Sequence, residues 1–512
     1  MKKLVNYRPI LFFSIALVLG GYLFVYALFH EYIYIIIGSI VFLALFLGAI
    51  FWLKSKDNKL FARIIACGVL PFVLGGVVDS CAVINKMDEF KTCGDYYVTA
   101  TIAEGGAIDG YYQMTLTDVE LRQNADSSSC IKLKGEYTLF KEYFGEVPIS
   151  YVGDRISFYG TYIYDYDSSL ERNVSNASYT KGMIKIHDAY TIDEKGSGVR
   201  YNILRWTRDT IFNNMDYSSA VVGYGMLFGD DSLMRGNIKD IYSAAGVSHL
   251  LAVSGLHVGF LIAIIGWALS KIIKNKWAYL FTTVGLLLGY AYICNWTPSV
   301  IRAVAMFGVA GLATRTFKQY DGLNSLAVAC IVNFIFMPLD IFNVGFLLSY
   351  SVVFSIFAIS PIFSRILDKK LPKKIASSLS LSVSAWLGSI PITIFYFDYI
   401  SVFAVLLNLI VIPFVSVLFA VVIGCLLLSV VPVFADFFMS IPELLINCLN
   451  FVVVGVGTLP TSELNLSIGY PILIFAMLAI ILSGDYVFIK RKPALTATLV
   501  FGVIGFITIY NF

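Results

Sequence analysis

The chain has 512 residues, of which 58% are hydrophobic and only 14% are charged. Soluble globular proteins carry about 25% charged residues, so this composition excludes an ordinary soluble protein and indicates an integral membrane protein. A bilayer span needs roughly 20 apolar residues, and the chain is long enough for about a dozen spans. The net charge of +3 is too small to indicate a polyanionic partner by itself.

The N-terminal part is predicted to cross the membrane. Its first apolar run, Ile10 to Leu28, is followed by runs at about 32 to 53 and 61 to 78, which indicates retained helices and not a cleaved signal peptide. The basic residues between the second and third runs are Lys54, Lys56, Lys59 and Arg63. By the positive-inside rule, this loop and the N-terminus are cytoplasmic, and the segment after the third span is extracytoplasmic. Residues 1–78 are therefore predicted as N-terminal transmembrane helices.

Residues 79–200 read as a separate extracytoplasmic domain, because long apolar runs give way to short alternating segments. The predicted strands are rich in β-branched and aromatic residues and begin near Tyr96, Tyr111, Gly135, Arg155 and Met183. This pattern predicts a small β-barrel of the OB type, and a β-sandwich stays open. The domain holds 12 basic and 19 acidic residues, a net charge of −7, against +10 for the rest of the chain.

The cysteines and histidines give one covalent prediction and no metal site. Cys93 and Cys130 both lie in the domain that the charge argument places on the oxidising side of the membrane, so we predict a disulfide between them. Free thiols are the alternative, because a pairing depends on geometry. The chain has only four histidines and no spacing typical of zinc ligands. No metal or cofactor is therefore predicted.

The remainder is predicted as a bundle of membrane helices, with 201–430 as its core and 431–512 as C-terminal helices. The predicted spans lie near 248–270, 277–294, 298–315, 323–338, 342–363, 379–397, 401–430, 433–458, 467–485 and 494–511. Ser219 to Leu227 is too short to cross and is expected to be interfacial or re-entrant. Pro391 and Pro413 are expected to break their helices, and broken helices at membrane depth line cavities. The predicted fold class is a polytopic α-helical membrane protein with an inserted extracytoplasmic small β-barrel (OB-like) domain.

The segment from Gly246 to Val258, GVSHLLAVSGLHV, places two histidines and two serines in an otherwise apolar helix. Polar groups at membrane depth are costly unless they face a cavity or a partner. Ser254 and His257 are three residues apart and share a helix face, as a nucleophile and its base would. However, the segment has no acid to orient the imidazole, and glycine and serine in membrane helices usually serve close packing. We therefore expect this segment, including His249 and Gly255, to line or shape a path.

Arg302, in the segment WTPSVIR, lies one turn inside a predicted span and is the strongest single candidate for a functional residue. An intramembrane cation pairs with a carboxylate, a helix end or a translocating anion, and the alternative is a side chain that snorkels to the interface. Asp340 is the acidic counterpart that the sequence offers. Gly345 and Ser349 follow it on a small polar face.

Four blocks of the chain carry a specific resemblance. They are Tyr224 to Val258, Thr297 to Phe307, Asp321 to Val353 and Asn408 to Ser416. In order and spacing they resemble the competence domain of the ComEC family, the inner-membrane DNA-uptake channel of natural transformation. HLLAVSGLHV is the most specific piece. By layout, the N-terminal spans and small β domain also resemble the family's N-terminal region, which is described as an OB-like extracytoplasmic fold, sometimes with a disulfide.

The resemblance implies that the protein conducts one strand of incoming DNA across the bacterial cytoplasmic membrane. It would receive DNA from a membrane receptor, deliver it to a cytoplasmic ATP-driven helicase and act with a separate nuclease; a homo-oligomer stays open. The candidates for the DNA path are His249, Ser254, Gly255, His257, Arg302, Asp340, Gly345 and Ser349. Many members carry a C-terminal metallo-β-lactamase-like domain, whose histidine-rich motif this sequence lacks, so we expect no nuclease activity by that route.

Two observations limit the role of the outer domain. Its tyrosines would stack on bases or, alternatively, build the barrel core; they are Tyr96, Tyr97, Tyr111, Tyr112, Tyr159, Tyr162 and Tyr164. Its negative charge disfavours capture of a polyanion, so we expect a partner to bind DNA first. Two other classes of function stay open: a membrane-embedded hydrolase that uses Ser254 and His257, and a transporter of another anionic solute.

Overall fold

The structure is a computed structural model that describes residues 9–29, 70–86, 92–108, 111–124, 130–133, 135–140, 149–163, 180–187, 190–234, 236–316, 319–397, 399–401, 403–459 and 463–465. The helices are α1 (Pro9–Phe29), α2 (Leu70–Lys86), α3 (Val199–Asn214), α4 (Tyr217–Phe228), α5 (Gly236–Ala244), α6 (Gly255–Ile272), α7 (Lys276–Ile293), α8 (Pro298–Arg315), α9 (Gly322–Phe336), α10 (Val344–Leu367), α11 (Lys373–Phe397), α12 (Ala404–Leu428) and α13 (Ala435–Gly457). The strands are β1 (Gly94–Ile108), β2 (Tyr111–Arg122), β3 (Ile131–Lys132), β4 (Glu136–Phe140), β5 (Arg155–Ile163), β6 (Thr180–Ile186), β7 (Thr191–Glu194), β8 (Tyr399–Ser401) and β9 (Glu463–Asn465).

The helices identify a multi-pass membrane protein. Among the described residues, five helices of 18 to 26 residues are apolar enough to cross a membrane: α6, α10, α11, α12, and α13 with the short 3-10 helix before it. At 1.5 Å per residue they reach about 27 to 39 Å, which matches a hydrocarbon core of about 30 Å. Helices α6 to α13 lie where the sequence predicts spans. The predicted spans at 467–485 and 494–511, and the apolar run at 32–53, lie outside the described residues.

Five strands of the outer domain form a closed ring. The order is β1, β2, β4, β6, β5 and back to β1; only the β4–β6 pair in this ring is parallel. β1 is long enough to pair with both β2 and β5, and irregularities between Thr99 and Thr101 and between Ile102 and Glu104 bend it. β3 and β7 pair at the margins with β2 and β5. The five predicted strands are all present.

The tyrosines of the barrel divide between its interior and its surface. Tyr96, Tyr137 and Tyr162 are buried with the aliphatic core of the barrel. Tyr97 and Tyr159 are 37% and 42% exposed, and their ring centroids lie 6.4 Å apart. The alternation of inward and outward side chains along β1 and β5 produces this division.

Helix α3 attaches the barrel to the membrane bundle. Arg205 donates from Nη2 to Oδ1 of the buried Asp154 at 2.7 Å. Arg205 and Arg208 both lie over the ring of Tyr151, with guanidinium carbons 4.9 and 4.7 Å from its centroid. The Tyr151 hydroxyl donates to Asp209 at 2.5 Å. Charged and aromatic groups of α3 therefore hold the loop before β5.

Helix α4 contains the segment that is too short to cross the membrane. It has 12 residues, begins at the cap residue Asp216 and ends at Gly229, whose φ of +76° is a left-handed conformation that favours glycine. At about 18 Å it is too short to span the bilayer. Most of its residues are buried in the largest apolar core, together with α12 and α13, so it lies within the bundle.

The predicted breaks at Pro391 and Pro413 are wrong. Pro391 lies inside the continuous helix α11, and Pro413 lies inside α12. Membrane helices tolerate proline because neighbouring groups satisfy the backbone carbonyl that loses its partner. The break that matters lies elsewhere, before α6.

The structure does not form the predicted Cys93–Cys130 disulfide, and Cys130 is a free thiol. Leu121 of β2 pairs with β1 on one side and with β3 on the other. Strands two positions apart are separated by about 9.6 Å, whereas a disulfide joins Cα atoms within about 7 Å. Cys93 precedes β1 and Cys130 precedes β3, so the sheet keeps them on separate strands.

Candidate functional site

The polar segment before α6 is a break between helices. Gly246 has a φ of +76°, and residues Ser248–Leu250 form one 3-10 turn. A side chain at Gly246 would have its Cβ 2.6 Å from the Ser401 Oγ, so the chain can turn closely against β8 only with glycine here. The prediction of one continuous helix through this segment is wrong, because α6 begins only at Gly255.

Ser254 and His257 form a cap at the start of α6. The Ser254 side chain accepts the His257 backbone N–H at 3.5 Å, and the His257 Nδ1 accepts the Ser254 backbone N–H at 3.3 Å. Each residue therefore satisfies a backbone donor at the helix start that has no partner within the helix. The predicted proximity of the two side chains is present, and it serves the helix end.

The surroundings of His257 disfavour a hydrolytic pair. Its ring is fully buried and stacks on Phe419 of α12, with centroids 4.9 Å apart. The nitrogen nearer to Ser254 is Nδ1, 3.5 Å from Oγ, and a backbone N–H already occupies it. Nε2 is buried and has no hydrogen-bond partner, so no carboxylate orients the ring as a catalytic triad requires.

Arg302 is a buried cation at the meeting point of three helices. It extends from α8, is 6% exposed, and donates from Nη1 to the backbone carbonyl of Ser349 in α10. Its Nη2 lies against Gly255 at the start of α6, so that a Cβ at Gly255 would collide with it. The guanidinium carbon is 5.9 Å from the centroid of the Tyr350 ring. A side chain held in this way does not snorkel to the interface.

The described residues contain no ion pair between Arg302 and a carboxylate, so the predicted Arg302–Asp340 pair is wrong. Asp340 lies in a short 3-10 helix, Pro338–Phe342, where its Oδ2 accepts the Asn333 side-chain amide at 3.1 Å. The chain then enters α10 through the cap residue Asn343, whose side chain accepts the Gly345 N–H at 2.7 Å. These turns place Asp340 before the N-terminus of α10 and Gly345 in its first turn, so both residues lie at least one helical turn before Ser349.

Two unsatisfied polar groups belong to residues that Arg302 contacts. Within the part of the chain that the structure describes, the Ser349 Oγ and the Tyr350 hydroxyl are buried without a hydrogen-bond partner. Arg302 itself uses Nη1 for Ser349, and its Nε and Nη2 make no hydrogen bond to any described residue. Buried polar groups are almost always paired, so these atoms indicate a place where a polar ligand or water completes the contacts.

The structure brings Arg302 into contact with Gly255 and Ser349, and it joins Ser254 to His257 in the cap at the start of α6. His249 lies on the 3-10 turn before them and is exposed. The sequence analysis missed Phe419, for which the sequence carries no signal. It also missed Asp79, the acid that directly follows the apolar run 61–78.

The barrel carries a charge cluster on its surface, in which three basic side chains surround Glu120. Glu120 contacts Lys132 at 3.1 Å, Arg122 at 3.3 Å and Arg155 at 3.6 Å. The hydrogen bond from Lys132 comes first among the causes that lower the pKa of Glu120. Three basic groups of the domain therefore share one carboxylate, and the cluster keeps a net positive charge.

Comparison with known proteins identifies the family. The sequence profile of the competence protein family matches residues 226–491, slightly more than half of the chain. The chain belongs to the competence protein family. The matched region contains Gly255, Arg302 and Ser349, and the resemblance to the ComEC family is confirmed. No solved structure matches the chain.

Three curated relatives each match part of this chain. ComE operon protein 3 of Bacillus subtilis is 27% identical over 316 residues, which cover 61% of this chain and 39% of the relative. An uncharacterized protein of Aquifex aeolicus is 28% identical over 201 residues, which cover 39% of this chain and 46% of the relative. The uncharacterized protein YcaI of Escherichia coli is 23% identical over 211 residues, 39% of this chain and 28% of the relative. The match therefore covers less than half of each relative.

Proposed function

We propose that this chain forms the membrane path by which single-stranded DNA enters the bacterial cytoplasm during natural transformation. The observation that carries the proposal is Arg302, a buried guanidinium with one protein hydrogen bond and no carboxylate partner among the described residues. A buried charge is stable only when it is paired. A phosphate of a passing strand is the partner that suits a guanidinium best, because its oxygens accept two parallel N–H donors.

The surroundings of Arg302 support a phosphate more than a fixed protein anion. The backbone N–H groups at the start of α6 lie beside Nη2, and helix starts favour negative charge. The hydroxyl groups of Ser349 and Tyr350 have no partner and suit phosphate oxygens as donors. Together these groups bind an anion without reading a base, as a channel for any DNA sequence requires.

The other two functions are supported less well. A hydrolase would need the Ser254 hydroxyl to face a free imidazole nitrogen, and that nitrogen is occupied by the helix cap. A transporter of another anion would use Arg302 equally well. Family membership favours DNA over that alternative, and the experiment below separates the two.

We propose the following organisation around this path. Residues 1–78 and 431–512 flank a channel core at 201–430, with 79–200 outside the cytoplasm; helix α2 extends past the boundary at 79. The barrel is of the OB type, because its ring joins β1, β2, β4, β6 and β5 in that order and the β4–β6 pair is parallel. The protein lies in the cytoplasmic membrane with its N-terminus in the cytoplasm.

We further propose that other proteins supply the steps before and after the path. Residues 79–200 carry a net charge of −7, which disfavours the capture of a polyanion by the barrel. A membrane receptor therefore captures DNA, a separate nuclease removes one strand, and a cytoplasmic ATP-driven helicase receives the other.

The experiment measures import of labelled DNA into the cytoplasm of a deletion strain, with surface-bound DNA counted separately. Complementation with Arg302→Ala should reduce import about 10- to 150-fold at equal protein abundance, the loss expected for one charge-assisted hydrogen bond of about 1.5–3 kcal/mol. Arg315→Ala is the matched control, since this arginine of the same helix donates to the carbonyls of Lys276 and Gly311 at 2.7 and 2.8 Å.

Two results would contradict the proposal. Normal import by Arg302→Ala would remove Arg302 from the path. Normal import by the deletion strain itself would favour transport of another anion.

A further inference from the structure

A buried acidic residue, Asp79, lies away from Arg302. Asp79 of α2 is 0% exposed, and neither of its carboxyl oxygens has a hydrogen-bond partner. Its Oδ2 lies against Gly21 of α1, where a Cβ would collide with it, and Ile341 of the 3-10 helix lies next to the same glycine. The carboxyl group is therefore enclosed where α1, α2 and the 3-10 helix meet.

The packing of α1 against α2 explains why water does not reach Asp79. A Cβ at Gly20 would collide with the Phe72 carbonyl, and one at Gly75 with the Leu17 carbonyl. Small residues allow two membrane helices to bring their backbones together in this way. Proton exchange at Asp79 therefore requires this helix pair to separate.

No neighbouring group within the described ranges compensates a negative charge at this position. The described titratable groups on its own helix and in the cluster packed against it include Cys81 and Tyr22, and none of them hydrogen-bonds Asp79; the others are Cys330 of α9, Asp340 of the 3-10 helix and Tyr350 of α10. No described Lys, Arg or His forms an ion pair with it. An unpaired buried carboxylate costs several kcal/mol, and such a group takes up a proton instead.

We infer that Asp79 is a proton-binding site, neutral in this conformation, that releases its proton when α1 and α2 separate. In that step the carboxyl O–H bond breaks, the proton passes to water that reaches the opened site, and a carboxylate remains until it is protonated again. Intramembrane acids that exchange protons in this way are typical of pumps and transporters.

A continuous set of contacts joins this site to Arg302. Phe342 of the 3-10 helix and Phe346 of α10 pack in one apolar cluster with Leu17 of α1. The Phe346 ring lies 4.2 Å from the ring of Tyr350, over which Arg302 lies. Separation of α1 and α2 at Asp79 would therefore move α10, whose Ser349 carbonyl accepts the hydrogen bond from Arg302. This coupling rests on the proposed function, whereas the proton site does not.

The experiment uses the full chain in lipid nanodiscs and infrared spectroscopy, because a protonated carboxyl group has a C=O band separate from that of a carboxylate. We expect such a band at neutral pH, its loss in Asp79→Asn and a shifted band in Asp79→Glu. Asp340→Asn is the matched control and should keep the band, since Asp340 is a hydrogen-bonded acid of the adjacent element. An identical band in wild type and Asp79→Asn would overturn the inference.

The second measurement is DNA import in the deletion strain. If proton release is required, Asp79→Asn loses import at least tenfold at equal abundance, and Asp79→Glu retains more than Asp79→Asn. Full import by Asp79→Asn would show that proton exchange plays no part in transport and would overturn the coupling to Arg302, whereas the proton site is tested by the infrared band. If Arg302→Ala imports normally while the Asp79 results hold, the Arg302 path fails and the proton site stands.

Discussion

The contact between Gly255 and Arg302 gives the sharpest test of the site. In Gly255→Ala the added methyl would lie closer to the Arg302 Nη2 than two such atoms can approach. The guanidinium must then move, since backbone at the start of α6 is fixed by the cap of Ser254 and His257. Gly259→Ala is the matched control, because a Cβ at Gly259, one turn further along the same helix, meets nothing within 4 Å.

The size of the effect follows from what the methyl displaces. Overpacking a tight contact costs about 1–3 kcal/mol, and loss of a charge-assisted hydrogen bond to the substrate costs about 1.5–3 kcal/mol. The second cost alone lowers the rate of DNA import about 10- to 150-fold. Gly259→Ala should leave import unchanged or slightly improved, since alanine is favoured over glycine in a helix by about 0.5–1 kcal/mol.

The assay is the initial rate of labelled DNA import at limiting DNA, with protein abundance measured in the same cells. A double-mutant cycle separates the contact from general damage. In an Arg302→Ala background there is no guanidinium to displace, so Gly255→Ala should have no further effect. Equal rates for Gly255→Ala and Gly259→Ala, or an undiminished Gly255→Ala effect in the Arg302→Ala background, would refute the geometry.

Three further predictions concern the cap, the barrel and its link to α3. Ser254→Asn should import DNA normally, because asparagine caps a helix as well as serine and cannot act as a nucleophile; loss of import with intact protein would favour the hydrolase. The lowered pKa of Glu120 stabilises the barrel above the ordinary glutamate value of about 4.3. This contribution is lost as the pH falls through the lowered pKa, so Glu120→Gln should flatten the acid side of the unfolding curve; an unchanged curve would contradict this. Asp154→Ala leaves Arg205 without its carboxylate partner and should cost about 3–5 kcal/mol, seen as faster hydrogen exchange of β5 amides in the full chain. The exposed Glu194→Ala should not change that exchange.

The sequence predicts the membrane helices and the barrel strands well because both depend on local patterns. Spans such as α10 and α12 are long apolar runs, and the strands β1 and β5 alternate buried and exposed side chains. Proline misleads the prediction at Pro391 and Pro413, because its effect in a membrane helix depends on neighbours that sequence alone does not place.

The sequence predicts the site residues better than their contacts. Among the predicted path residues, Arg302 contacts Gly255 and Ser349, and Ser254 contacts His257 in the cap of α6. The predicted pair of Arg302 with Asp340 is wrong, because spacing alone does not show that the 3-10 turn at Pro338–Phe342 directs Asp340 to Asn333. The disulfide prediction failed for a similar reason, since cross-strand register and not compartment decides which cysteines meet.

The absence of an Arg302–carboxylate pair among the described residues bears directly on transport. A carboxylate bound to Arg302 would compete with every phosphate that passed, and removing it from the guanidinium would cost several kcal/mol at each step. Conduction requires binding that is favourable enough for the substrate to arrive and weak enough for it to leave. One guanidinium, oriented by the Ser349 carbonyl and with Nε and Nη2 left for the substrate, satisfies both conditions. Without the predicted Asp340 partner, Arg302 is therefore better suited to bind and release a moving anion.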